Sequence, residues 1–234
     1  MKTIINKLLV LCATSIFLNA SAGTVSIQVV DRTGKPLPDA VVVLLPFNKN
    51  AKPPTPLPMQ TTIAQEKMQF LPLVTVVPVG AKISFVNNDA WNHHVRGYSA
   101  DPSKVDLNKS SGFALLLEGK AEGRKAVSKD VMMDKAEVLG ASLLGCFIHG
   151  SMRGYIYVTD SPWAGKTNAE GMAQFTAAPD GPMQVKVWQA DLLVDVSPVQ
   201  LEVTSNGVTK HVFQLPVTPR RVRTTSTPSS GYAY

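Results

Sequence analysis

Residues 143–158 read LLGCFIHGSMRGYIYV and place a thiol, an imidazole and a thioether at the spacing Cys-x2-His-x2-Met. An apolar run of the kind that forms β-strands lies on each side of this loop. These soft or borderline ligands suit copper better than calcium or magnesium, and a trigonal blue-copper centre uses one thiolate, two imidazoles and a weak axial thioether. The loop supplies Cys146, His149 and Met152, so a second histidine is expected from elsewhere in the chain.

The first 22 residues are typical of a secretory signal peptide. Lys2 and Lys7 give a positively charged start, and an apolar run follows at 8–18. Small residues at 20–22 form the expected cleavage site. Because the apolar run is too short for a transmembrane helix, we expect a periplasmic protein with no membrane insertion after cleavage.

Export would remove Cys12 with the signal peptide and leave Cys146 as the single cysteine. Thiols of exported proteins usually end in disulfides, so burial, metal ligation or reactivity must explain a cysteine that has no partner. One thiol also excludes a two-cysteine binuclear copper site and a CxxCH haem attachment. We therefore expect a single copper ion.

The chain that remains after removal of the signal peptide has a small positive net charge. Two of the 23 lysines and arginines lie in the signal peptide, which leaves 21 against 17 acidic residues and a net charge of +4. Three of these bases, Arg220, Arg221 and Arg223, lie close to the C-terminus. The chain has no aromatic and basic platform of the kind that single-strand binders need, so no nucleic-acid partner is expected.

Short strand-like runs separated by turn residues predict an all-β fold. They lie at 61–65, 73–77, 82–87, 93–98, 113–117, 125–131, 138–146 and 153–158. Before them, residues 24–45 alternate in polarity, turn, and continue as a β-branched run, which predicts a β-hairpin. Four prolines between 53 and 58 exclude a central strand there, so a semi-rigid linker is predicted.

The hairpin residues at 30–40 resemble the opening of a carboxypeptidase-regulatory-like, transthyretin-type β-sandwich. A turn at 166–171 followed by the run 173–175, and a closing turn and strand at 179–188, resemble the second half of such a domain. The resemblance implies a split sandwich interrupted by another one, although a hairpin followed by two sequential domains is the alternative. The implied divisions are 1–22 for the signal peptide, 23–46 plus 161–216 for the split sandwich, 47–56 for the Pro-rich linker, 57–160 for the inserted sandwich and 217–234 for a disordered basic tail.

Residues 79–95, taken with the loop around Cys146, resemble the cupredoxin family, which includes plastocyanin and amicyanin. In that family a histidine ligand follows an Asn-rich turn, which places the second imidazole at His93. The loop spacing matches the short amicyanin arrangement. The resemblance implies a Greek-key β-sandwich with one type 1 copper ion. The implied ligands are Cys146 as thiolate, His93 and His149 as imidazoles and Met152 as the long axial ligand.

His94 stands where the family has asparagine. Strand alternation turns it away from His93, yet it stays open as a competing ligand. Over about residues 24–190 the chain is also similar to exported bacterial proteins labelled methylamine utilization or plastocyanin-like. That similarity is carried by the hairpin at 31–40, the run 93–95, the loop and strand at 145–156 and the turn at 166–171.

The cupredoxin resemblance implies a one-electron carrier that is not an enzyme and meets protein redox partners transiently, with His149 reaching the surface through a hydrophobic patch. A copper-binding, storage or sensing protein would have identical ligands. Cys146 acting as a nucleophile would need a histidine base and a third group, for which Asp89 is the nearby acid. Zinc would gain little from Met152. An adhesive sandwich with an inert cysteine is the last alternative, and His211 is expected to be structural.

Overall fold

The computed structural model describes residues 22–48, 52–99, 112–134, 139–204 and 207–218. Within these ranges every regular element is a β-strand, and no helix exists that is long and apolar enough to cross a membrane. The strands are β1 (Ala22–Val30), β2 (Val41–Pro46), β3 (Gln60–Glu66), β4 (Gln69–Leu71), β5 (Val74–Pro78), β6 (Lys82–Asn87), β7 (His93–Ser99), β8 (Phe113–Leu117), β9 (Val127–Met132), β10 (Gly140–Cys146), β11 (Arg153–Thr159), β12 (Ala164–Lys166), β13 (Met172–Pro179), β14 (Gly181–Trp188), β15 (Val199–Val203) and β16 (Val208–Gln214).

Strands β3 to β11 form what we call the central sandwich. One sheet has the order β4-β3-β6-β9 and the other has the order β5-β11-β10-β7-β8. The pairs β3–β6 and β5–β11 are parallel, so the chain crosses between the sheets rather than running as a simple meander. Because side chains alternate along each strand, Phe85 from one sheet and Val95, Leu144 and Ile156 from the other pack into a single apolar core.

Strands β1, β2 and β12 to β16 form the flanking sandwich. Its sheets have the orders β13-β1-β16 and β12-β2-β14-β15. Strand β1 is antiparallel to β13 and parallel to β16, so the first strands of the chain pair with strands from its C-terminal part. Ile27, Leu44, Val185 and Phe213 belong to the core between these two sheets.

Strand β2 is buried on both of its faces. Val42 and Leu44 lie in the flanking core, and Val41, Val43 and Leu45 pack against the central sandwich. This explains the continuous β-branched run, which is typical of a strand with no exposed face. The centroid of the Trp188 ring of the flanking sandwich lies 5.4 Å from that of the Tyr155 ring of the central sandwich. The apolar layer between the sandwiches contains Val41, Val43, Val74, Leu45, Val76, Tyr155, Tyr157, Ala164 and Trp188.

The prediction of an all-β sandwich fold is confirmed. Strand β4 has no counterpart in the sequence prediction, because the turn before it uses Lys67 and Met68 at φ 51° and 60° where glycine or asparagine is the usual signal. The domain divisions and the transthyretin type of the flanking sandwich stay predictions. Val217, assigned to the tail, is buried in the flanking core. The signal peptide up to residue 21 and the tail from 219 lie outside the described residues.

Candidate metal centre

Three of the four predicted ligands meet at one end of the central sandwich. Nδ1 of His93 lies 3.1 Å from Nδ1 of His149 and 3.7 Å from Sγ of Cys146. The same sulfur is 3.4 Å from Nδ1 of His149. Among the described residues, this is the group of histidine, cysteine and acidic side chains that has metal-site spacing.

Strand register explains why these ligands meet. Cys146 ends β10 opposite Val95 of β7, and both side chains lie in the core. His93 begins β7 two residues before Val95, so it faces the same side. The loop after Cys146 then turns back, because the Met152 amide donates a hydrogen bond to the His149 carbonyl at 3.0 Å.

Asp89 fixes the ring of His93. Nε2 of His93 lies 2.9 Å from Oδ2 of Asp89, and the hydrogen bond assigns the proton to Nε2. That tautomer leaves a lone pair on Nδ1, which faces the other two ligand atoms and is therefore ready to bind a metal ion. The sequence alone suggested for Asp89 only the role of a nucleophile's partner, although an acid four residues before the histidine is a signal for this second role.

The carboxylate of Asp89 is itself held in place. It accepts hydrogen bonds from the amides of Lys67 at 2.6 Å and Met68 at 3.1 Å. Burial alone would raise the pKa of Asp89, but the hydrogen bonds from His93, Met68 and Lys67 outweigh it and hold this pKa below the usual value for aspartate. Asp89 therefore links His93 to the turn between β3 and β4.

Asn87 secures the loop that carries these groups. Its side chain is fully buried, and Nδ2 donates to the carbonyls of Trp91 at 2.8 Å and Glu118 at 2.9 Å. Its Oδ1 accepts from the Asp89 amide at 3.0 Å. One buried amide thus joins the end of β6, the loop before β7 and the end of β8. From the sequence, Asn87 is recognisable only as part of the Asn-rich turn of the resembled family, and its role in joining the three segments comes from the fold.

The remaining candidate residues take different places. Met152 is buried in the same core cluster as Cys146. His94 points to the other face of β7, where its ring lies 5.8 Å from the Phe147 ring, and it is not part of the ligand group. His211 lies on β16 of the flanking sandwich with its ring 4.8 Å from that of Phe213.

The site reaches the surface through one ligand. His93 and Cys146 are buried, whereas His149 is partly exposed. The same two loops carry apolar side chains that are open to solvent, and we call them the apolar patch. They are Trp91, which is 49% exposed, Phe147, which is 67% exposed, and Ile148, which is 51% exposed.

The donor set fits a small, borderline-soft metal ion. Metal–nitrogen bonds of about 2.0 Å and metal–sulfur bonds of about 2.3 Å would separate trigonal ligand atoms by roughly 3.5–3.8 Å. The observed separations of 3.1, 3.4 and 3.7 Å therefore need only a small expansion. The thiolate also disfavours magnesium and calcium, which prefer oxygen ligands.

Comparisons with known proteins place amicyanin and a copper nitrite reductase among the structures to which this chain is similar. Amicyanin from Paracoccus versutus has 17% sequence identity over 45% of this chain and 92% of its own, with a TM-score of 0.33. A reduced Cu(I) form of an amicyanin variant has 15% identity over the same shares, with a TM-score of 0.33. The copper-containing nitrite reductase of Thermus scotoductus has 23% identity over 49% of this chain and 25% of its own, again with a TM-score of 0.33. No family model and no curated protein matches the chain.

Proposed function

We propose that this protein binds one copper ion in a type 1 site and carries single electrons between protein partners. The observation that supports this most is the convergence of His93, Cys146 and His149, whose ligand atoms lie 3.1–3.7 Å apart. Met152, buried in the same core, would provide the weak axial thioether. A bound copper would cycle between Cu(II) and Cu(I), taking one electron from a reduced protein and giving it to an oxidised one.

The chain's own contribution is to hold the ligands still. Cys146 and His93 lie on paired strands of one sheet, and Asp89 and Asn87 hold the loop that precedes His93. A site whose ligands are held in this way changes little on oxidation or reduction, and hydrogen bonds to the ligands tune its potential. These features favour an electron carrier over an enzyme, which would need an open coordination position for substrate.

Exposure of the site supports a role in transfer to partners. The partly exposed His149 is the ligand that a partner reaches, and the apolar patch beside it offers a surface for brief contact. Transient electron-transfer complexes bury little area, which matches a patch of three side chains. We therefore propose that partners dock at this end of the central sandwich, and that the protein acts in the periplasm.

The test is a visible absorption spectrum of the protein with Cu(II), alongside a Cys146→Ala variant. We expect an intense thiolate-to-copper band in the first and none in the second. A Met152→Leu variant should keep the band but change the reduction potential, because the axial ligand tunes potential more than colour. A colourless wild type that binds zinc equally well would overturn the proposal.

A copper-storage or sensing protein would show the same colour, so a second measurement separates the two functions. Voltammetry on the copper-loaded protein should give a reversible one-electron couple with fast electron exchange. A couple that is slow or irreversible would instead indicate storage or sensing.

A further inference from the structure

A second group of charged side chains lies on the face of the five-stranded sheet opposite the metal ligands. Gly145 of β10 is paired with Arg96 of β7 on one side and with Arg153 of β11 on the other. The neighbours Leu144 and Cys146 face the core, so the alternation of the strands directs Gly145 and both arginines outward. These three residues form one row across the sheet, which we call the arginine row.

The two arginines have no carboxylate partner among the described residues, since neither guanidinium takes part in a salt bridge there. Arg96 instead lies over the Phe147 ring, with Cζ 4.5 Å from the ring centroid, and its Nη1 is 3.4 Å from the Tyr98 hydroxyl. Its Nε is buried and has no hydrogen-bond partner, so a donor of this guanidinium is left unsatisfied.

The centre of the row is open. A Cβ at Gly145 would meet nothing within 4 Å, so the space between the two arginines is free. With strands about 4.8 Å apart, the two arginine Cα atoms are separated by about 10 Å, a span that two arginine side chains can bridge. A carboxylate placed there would receive charge-assisted hydrogen bonds from two guanidinium forks at once.

The surroundings of the row point to a protein surface as the occupant. The flanking sandwich covers the part of this sheet face that carries Tyr155 and Tyr157, whereas Arg153 of the row is exposed. His94 lies beside Phe147 on the same face. The row is also bordered by exposed apolar and aromatic side chains. They are Phe147, which is 67% exposed, Leu116, which is 51% exposed, and Tyr98, which is 42% exposed. Aromatic residues and arginine are the residue types enriched in the centre of protein interfaces.

From these contacts we propose that the arginine row is a docking site for an acidic protein surface, which inserts an aspartate or glutamate carboxylate above Gly145. The two guanidinium charges provide the complementarity, and the apolar border adds contact area. Phe147 belongs both to this border and to the apolar patch, so the two docking surfaces adjoin. The site requires no metal, so its test does not depend on the proposed copper function.

The test measures binding of a short poly-glutamate peptide to the full chain without metal, at low ionic strength, with a poly-glutamine peptide as control. Backbone amide NMR shifts should locate the peptide at Arg96, Gly145 and Arg153. The variants Arg96→Gln and Arg153→Gln should each weaken binding about 2- to 5-fold, as expected for exposed ion pairs. The matched control is Arg124→Gln, which removes an arginine from the turn after β8 and should leave binding unchanged.

A further variant tests the site by placing a carboxylate of the protein itself between the two arginines. Gly145→Glu would place a carboxylate between the two arginines and should abolish peptide binding, whereas Gly145→Gln should retain most of it. Thermal unfolding of each variant shows that it is folded. Equal losses in Arg124→Gln and Arg153→Gln, or shifts spread over all basic residues, would overturn the proposal. Inorganic phosphate that binds at the row as tightly as the peptide would also overturn it in favour of a small-anion site.

Discussion

The central and flanking sandwiches use buried polar residues in different ways. In the flanking sandwich these residues satisfy backbone groups: the Thr167 hydroxyl donates to the Leu37 carbonyl and accepts from the Ala40 amide, at 2.6 and 3.0 Å. In the central sandwich Asn87 and Asp89 also satisfy backbone groups. His93 and Cys146, by contrast, are buried with their contacts to other side chains, and they face each other. Buried polar atoms without a structural task indicate a functional site, because folding alone does not require them.

Removal of the thiolate should have the largest consequence for function and little for folding. Cys146→Ala deletes one small buried side chain, so the variant should remain folded while it loses the copper absorption band completely. The measurements are the visible spectrum and a thermal melt. A variant that keeps the band would show that another residue supplies the sulfur ligand. The buried Cys146 would then not mark the central sandwich as the site of metal binding.

A core truncation in the flanking sandwich should lower the stability of the protein and leave the copper site unchanged. Leu44 is fully buried between its two sheets. Leu44→Ala should lower the free energy of unfolding by about 2–5 kcal/mol, through lost burial and the cavity left behind, while the copper spectrum stays unchanged. Denaturant titration of the loaded protein gives both quantities. A changed spectrum would mean that the packing of the flanking sandwich controls the geometry of the metal site.

Substitution of Asp89 should change the affinity for copper more than the visible absorption spectrum. Asp89→Ala removes the acceptor that fixes the His93 tautomer, and we expect copper to bind about 10- to 100-fold more weakly. Competition with a chelator of known affinity measures this change. Asp89→Asn keeps one oxygen acceptor and is the matched control, with an intermediate affinity expected. Equal affinities in all three proteins would show that strand packing alone orients His93.

Asp31 should give a small, pH-dependent contribution in the flanking sandwich. The Thr33 hydroxyl donates to it at 2.7 Å, and this bond, with those from the Thr33 and Lys35 amides, lowers the pKa of Asp31 despite the cost of burial. Because the folded pKa lies below the unfolded value of 3.8, the stabilisation is present above that pH and is lost as pH falls through the folded pKa.

The corresponding variant is Asp31→Asn. Its unfolding midpoint should depend less on pH than that of the wild type in the range from about pH 2 to pH 6. The exposed Asp160→Asn provides the control, and its pH dependence should follow the wild type. A wild-type midpoint that does not fall in acid would contradict the role given to Asp31.

Much of the strand pattern was readable from local signals. Strands β6 and β8 have the predicted bounds, because β6 alternates in polarity, β8 is a short apolar run, and turn residues flank both in the sequence. Strand β4 was missed, since three residues carry too little pattern and its turn lacks glycine and asparagine. The proximity of Cys146 and His149 was also predictable, because two residues between them leave a loop too short to separate them.

The sequence by itself determined the all-β class, the spacing of the loop ligands and the choice of His93 through a family resemblance. Only the tertiary structure decided which atoms of His93 face the site, because that depends on the hydrogen bond that His93 donates to Asp89, which lies in a loop with no regular period. It also decided the arginine row. Arg96 and Arg153 are far apart in sequence, and only the register of three strands, set by long-range core packing, brings them to either side of Gly145.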